Sequence, residues 1–431
     1  MISLVQKAFW SIDALARRGE SHPGLEKGLP WIALGIGAAW VLGLALTRGM
    51  FEGGDTPTFL LWAEHIRKEG LSARSLAGDS PGVMINHMTH FWIYLLGQRG
   101  FVILTAVLTA FLPLCVVRIL RHAGVRPFFA ACALLYVATN EEIYKWAFYI
   151  LSDGSLIALV AIVVALITLA RFKNPVWFII PVFWYCMFYS RAGGFLILPG
   201  VFVYGLWGRQ PGKKVYLVAL VALTIIFHAG YSAWLNQERR VEILKEVQFF
   251  GDVFYLEKTR MDFINGHILI DPKLSPKLKA PFTPEEAKGR SLWELCRSYK
   301  TYCAHQAIRR FMAYILPVYP FYSLKHKVFN ALFYGGNILL SGGGAVLLLM
   351  ALRRYGWNRV LRRDVNKSGA ALLCGTLILT VAVFHPLVAV DSDARYLMPW
   401  VTPWICFNFI LMDLLTGVFA NRVDSVRIED G

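Results

Sequence analysis

Four stretches of this chain hold side chains whose types and spacing suit acid–base or anion-binding chemistry. Asp55 follows Gly53 and Gly54 and precedes Thr56 and Pro57. Glycines and a proline permit a tight turn that can aim a carboxylate as a general base; the same spot also suits the N-cap of a following helix. Asp153, in Ile150–Leu151–Ser152–Asp153–Gly154, heads an uncharged apolar run. A carboxylate there is costly to bury and marks a functional position, or else Ser152 and Asp153 cap a wetted helix start. Arg191 is the one basic residue in the short link 190–192 between two apolar runs. Its planar guanidinium matches a phosphate, or it snorkels to lipid headgroups. Asp391, Asp393, Arg395 and Tyr396 cluster just ahead of Pro399. Arg395 either binds an anion or pairs with Asp391 or Asp393, a surface pair contributing under about 1 kcal/mol. His87 and His90 lie three apart without a carboxylate beside them, too weak a pattern to assign a metal site.

Composition says what must hold these residues in place. At 56% apolar and 17% charged, with a mean hydropathy of +0.50, the chain has too little polar surface to cover a water-soluble globule. Several apolar runs approach the ~20 residues that carry a helix across a ~30 Å hydrocarbon core, whereas a β-barrel would alternate in short segments. The expected fold is an all-α polytopic membrane protein, one integral membrane domain over residues 1–431. Ten spans are expected near 29–46, 101–120, 128–139, 150–170, 175–189, 193–207, 215–235, 329–352, 369–390 and 397–418. The first residues lack the pattern of a removable signal peptide.

The formal net charge is +16, from 44 Lys and Arg against 28 Asp and Glu. Ten spans would put Arg17/Arg18/Lys27, Arg118/Arg121/Arg126, Arg171/Lys173, Arg209/Lys213/Lys214, the 353–367 segment and Arg422/Arg427 on one side. By the positive-inside rule that side is cytoplasmic, so the charge records topology and anionic lipid, and no nucleic-acid partner is expected. The four stretches then share the opposite face. There a first loop at 49–100 carries an amphipathic, interfacial helix beyond Asp55, with Phe59, Trp62, Ala63 and Ile66 at helical spacing. A long loop at 236–328 shares that face. Cys115, Cys132, Cys186 and Cys374 read as small core residues, while Cys296 and Cys303 share the long loop and can pair if it faces an oxidising compartment.

On these residues the chain resembles the GT-C superfamily of membrane glycosyltransferases, among them the aminoarabinose transferases of lipid A and the protein O-mannosyltransferases. Asp55 followed by Phe59, Ala63, Ile66 and Gly70 is similar to the family's first external loop, and Ser80–Pro81–Gly82 to the step that returns that loop to the membrane. Ser152–Asp153 resembles the acidic motif opening the fourth span; Arg395–Tyr396 with Pro399 resembles a late Arg-Tyr-x-x-Pro signature. Two departures stand out: Thr56 occupies a position where the family often carries a second acidic residue, and these residues hold no counterpart of a large C-terminal soluble domain.

The resemblance implies an inverting hexosyl- or pentosyltransferase of the cell envelope that uses a polyprenyl-phosphate sugar donor and a lipid, glycan or protein acceptor. Asp55 would be the general base and Asp153 a second catalytic-site carboxylate, holding an arginine or the acceptor. Arg191, Arg395, Tyr396 and Asp393 would bind the lipid phosphate and sugar. No cofactor is implied, and divalent-metal dependence stays open. The expected location is a bacterial inner membrane, with the site facing the periplasm or exterior. A transporter or lipid-linked-sugar flippase is the alternative; it would set ionisable residues near mid-membrane and often carries duplicated halves, and no internal repeat is evident. A non-enzymatic scaffold is a third reading, under which each outer charge is dispensable.

Overall fold

The computed structural model describes residues 2–72, 86–170, 175–207, 211–238, 261–269, 271, 273–287, 289–362, 364–388 and 396–420. Its helices are α1 (Ile2–Glu20), α2 (Pro23–Thr47), α3 (Thr56–Glu69), α4 (His87–Ala110), α5 (Leu112–His122), α6 (Pro127–Ala138), α7 (Glu141–Lys145), α8 (Ser152–Leu169) and α9 (Val176–Ser190). There follow α10 (Leu198–Trp207), α11 (Pro211–Glu238), α12 (Pro284–Ala287), α13 (Leu292–Ser298), α14 (Lys300–Ile315), α15 (Leu324–Tyr355), α16 (Trp357–Val360), α17 (Val365–Val388) and α18 (Met398–Ala420). Among the described residues there is no extended strand beyond isolated bridges.

Among the described residues seven stretches have the length and apolarity to cross a membrane: α2, α4 with α5 (as His87–His122), α8, α11, α15, α17 and α18. The chain is therefore an all-α integral membrane protein. The expected count of ten is corrected to seven, because Pro127–Ala138, Val176–Ser190 and Gly193–Trp207 are apolar but short. At 1.5 Å per residue α6 and α9 reach only about 18 and 22 Å, less than the ~30 Å core.

One span also begins earlier than its hydropathy does. Helix α4 starts at His87, within the segment assigned to the first loop, kinks at Gly97 (φ +68°) and gives way at Phe111 to α5. Pro113 falls in the first turn of α5, where a missing N–H costs nothing. Gln98 and Arg99 interrupt the apolar pattern and conceal that continuity.

Helix α8 is apolar all round and buried on nearly every face, as a central helix must be. It packs against α4, α5, α9 and α18. Helix α1 is a surface helix instead, laid on α18 and α6 with Phe9 stacked on Phe419. Helix α2 fixes the two ends of the bundle. Near its start Glu26 pairs with Arg121, and just past its end Arg48 pairs with Glu141. Glu26 and Arg48 are 22 positions apart, which along the helix is about 33 Å. At the Arg48 end sits a small cap, in which α12, α13, α14 and the turn before them share a core of Phe263, Ile264, Phe282, Leu295, Tyr302 and Cys303.

Candidate functional site

The loop bearing Asp55 is tied to the approach of the helix bearing Asp153. The Phe51 N–H donates to the Phe148 carbonyl (2.9 Å) and the Ile150 N–H to the Phe51 carbonyl (3.0 Å), a one-rung parallel bridge. Thr56 adds a third tie: its fully buried hydroxyl donates to the Ile150 carbonyl (3.0 Å) and accepts from the Gly53 N–H (2.8 Å). Gly53 lies so close that a Cβ there would sit 2.6 Å from Leu151 Cδ1. Thr56 thus staples two loops at the position where the resemblance suggests a second acid. Asp55 occupies the N-cap position of α3, yet its exposed side chain makes no cap hydrogen bond. The Thr58 and Phe59 N–H groups donate to its backbone carbonyl (3.1 and 3.2 Å), so the capping role belongs to the main chain. Beyond it Phe59, Ala63 and Ile66 form the buried face of α3, which lies on α4 with the Phe59 and Trp62 rings around His90.

Asp153 is in the first turn of α8 and 1% exposed. A carboxylate there gains from the helix dipole and loses its hydration. Its Oδ2 accepts from Arg191 Nη1 at 2.6 Å, and the same nitrogen reaches Ser152 Oγ at 3.2 Å. Gly154 makes room, since a Cβ on it would run into the Trp146 carbonyl. Arg191 stands in extended backbone (φ −166°) between α9 and the 3-10 turn Ala192–Ile197, with its guanidinium 4.9 Å from the centroid of the Tyr396 ring. Tyr396 stacks on His385 (5.5 Å, 7° between planes), and His385 stacks on Tyr314 of the cap (5.3 Å, 23°). The Tyr314 hydroxyl donates to the Tyr396 carbonyl at 3.1 Å.

Three separated sequence positions, Asp153, Arg191 and Tyr396, therefore meet, with the Asp55 loop bonded alongside. A guanidinium fixed between a carboxylate and an aromatic face is a preorganised cation for an anion. Asp393, Arg395 and Ser80–Pro81–Gly82 lie outside the described residues. His87 and His90 serve different neighbours, His87 bonding the Tyr185 hydroxyl (2.8 Å) and packing on Tyr189, while His90 faces α3. Among the described residues no three His, Cys, Asp or Glu side chains gather as a metal site.

Sequence reasoning passed over His385 and Tyr314; a His-Pro pair late in an apolar run was the available signal for the first. It also passed over a second buried polar centre at the other end of the bundle. There Asp413 accepts from Arg126 Nε (2.5 Å) and Lys367 Nζ (2.7 Å), while Asp13 accepts from Arg126 Nη1 (2.5 Å) and Arg17 Nε (2.7 Å). Burial pushes the Asp13 carboxyl up, but hydrogen bonds and charge from Arg126 and Arg17 outweigh it and hold the group below its usual range. For Arg126 burial pulls down, and Asp413 with Asp13 raises it on balance. A lone carboxylate inside the last apolar run was the signal for Asp413.

No family model, no curated protein and no solved structure matches the chain.

Proposed function

We propose that this protein is a membrane glycosyltransferase that moves a sugar from a polyprenyl-phosphate donor to an acceptor hydroxyl, with inversion at the anomeric carbon. The observation that carries the reading is Arg191, fixed by Asp153 and Tyr396 beside the loop that presents the exposed Asp55. In this reading the acceptor binds at the Asp55 loop and Asp55 takes its proton. The acceptor oxygen attacks the anomeric carbon, the bond from that carbon to the phosphate oxygen breaks, and the lipid phosphate leaves with the electron pair. Arg191 meets the charge that grows on the phosphate, with Arg395, Tyr396 and Asp393 completing donor binding. Asp153 acts through Arg191 by holding it in place.

The same reading gives the bundle a direction. Among the described residues Arg17, Arg121, Arg126 and Lys367 lie at the Arg126 end, which we assign to the cytoplasm, and the Arg191 end faces the periplasm or exterior.

The test is transfer of radiolabelled sugar from polyprenyl-phosphate donors by purified protein in detergent. Wild type should turn over, and a folded Asp55→Asn variant should lose transfer. An Asp55→Asn protein that transfers at the normal rate removes the general base from the mechanism; no turnover across a panel of donors and acceptors moves the assignment to a transporter.

A further inference from the structure

We infer that Cys296 and Cys303 form a disulfide that pins the bend between α13 and α14 in the cap. Five of the seven cysteines lie in apolar helices of the bundle, and these two alone lie in the cap. Seven positions apart on a straight helix, their Cα atoms would be about 10.5 Å from one another, beyond the ~4.4–6.8 Å a disulfide bridges. The chain is not straight here. It breaks at Tyr299 (φ −120°, ψ 53°), so α13 folds onto α14. Cys303 is buried in one small core with Phe282 and Tyr302, and Cys296 and Tyr299 pack against that same core.

The compartment follows from the cap's attachment. Tyr314, in the last turn of α14, stacks on His385 and donates to the Tyr396 carbonyl, so the cap sits on the Arg191 end of the bundle. The inference rests on that end being non-cytoplasmic, where disulfides persist. It does not depend on sugar transfer. The oxidant is an external disulfide, either that of a thiol–disulfide oxidoreductase or a low-molecular-weight one. Half-buried Cys296 attacks it first as thiolate, releasing one thiol and leaving a mixed disulfide. Buried Cys303 then displaces the second thiol, so two cysteine thiols lose two electrons and two protons while one external disulfide becomes two thiols.

Trypsin makes the test direct, because Arg297 and Lys300 lie between the two cysteines. Intact cells are treated with a permeant maleimide, then lysed, and the purified protein is digested without reductant. Expected is one cross-linked pair joining peptides 291–297 and 301–309, released as two peptides when reductant precedes digestion. Both peptides recovered with maleimide already attached would overturn the inference. As a second measure, Cys296→Ser should make Cys303 available to maleimide in the unfolded, unreduced protein, and Cys303→Ser should do the same for Cys296; a wild type that labels as fully as either variant is the opposing result. A linked pair in a protein without transferase activity leaves this inference standing and removes the enzyme reading; transferase activity with both thiols labelled does the reverse.

Discussion

The two ends of the bundle bury charge in different ways. At the Arg126 end, two carboxylates and three cations from α1, the start of α6, α17 and α18 lock together, and both Asp413 oxygens have a cationic partner. At the Arg191 end, one carboxylate holds one guanidinium, and that guanidinium lies over the Tyr396 ring of an aromatic stack that runs into the cap. Burial of charge alone therefore does not single out a reactive site, since Asp153 and Asp413 are each 1% exposed. The ends differ in their company. Asp413 is surrounded by partners that satisfy it, whereas the segment leading into Asp153 is bonded at Ile150 to a loop whose own carboxylate, Asp55, is exposed. We read the first as a clasp between helices and the second as a device for presenting a cation.

The largest expected effect belongs to the clasp. Asp413→Asn leaves Arg126 and Lys367 buried beside a neutral amide, and removing one partner of a buried ion pair costs roughly 3–5 kcal/mol. Thermal unfolding in detergent should show a marked fall in midpoint, with transfer per folded molecule unchanged. Normal stability combined with lost transfer would break the division between the two ends.

The opposite end should respond in the opposite sense. Arg191→Gln is expected to cut turnover by about 10²- to 10³-fold, the usual consequence of losing one preorganised electrostatic stabiliser. It also strands Asp153, so the single variant loses stability as well. The double variant Asp153→Asn/Arg191→Gln removes both charges and should regain much of that stability, because a buried pair replaced whole is often near neutral. Turnover should stay low. Recovery of transfer in the double variant would mean that Arg191 only repairs the charge of Asp153.

Only the Arg191 side of this contrast is legible in the sequence, and what is not has physical causes. Hydropathy located every long apolar helix, because lipid imposes one rule on all of them. It overcounted spans, because an apolar run does not say where a helix breaks; α6 and α9 stop after 12 and 15 residues. Asp153, Arg191 and Asp55 stood out as charges at the ends of apolar runs, but their meeting could not be read. Asp153 and Arg191 are 38 positions apart, and Thr56 reaches Ile150 across 94. His385 carries only a His-Pro pair as a signal in the sequence; its stacking between Tyr314 and Tyr396 exists only in three dimensions.

The smallest effect lies at the edge of the clasp and is the one that pH can read. Asp13 holds Arg126 from below and Arg17 at the surface, and its folded-state carboxyl lies under the usual value of 3.8. A depressed carboxylate contributes stability that is fully present above its unfolded-state value and is lost as pH falls through the folded one. Asp13→Asn should therefore lower stability by about 1.5–3 kcal/mol near neutral pH, the range for hydrogen bonds to charged groups. The gap between variant and wild type should hold as pH falls to 3.8 and narrow only below it. Arg126 remains charged throughout and keeps Asp413, so the residual stability at low pH belongs to the inner pair. Melting curves from neutral pH down to about pH 3 measure this directly. A gap that closes already near neutral pH would place the titration on another group and detach α1 from the clasp.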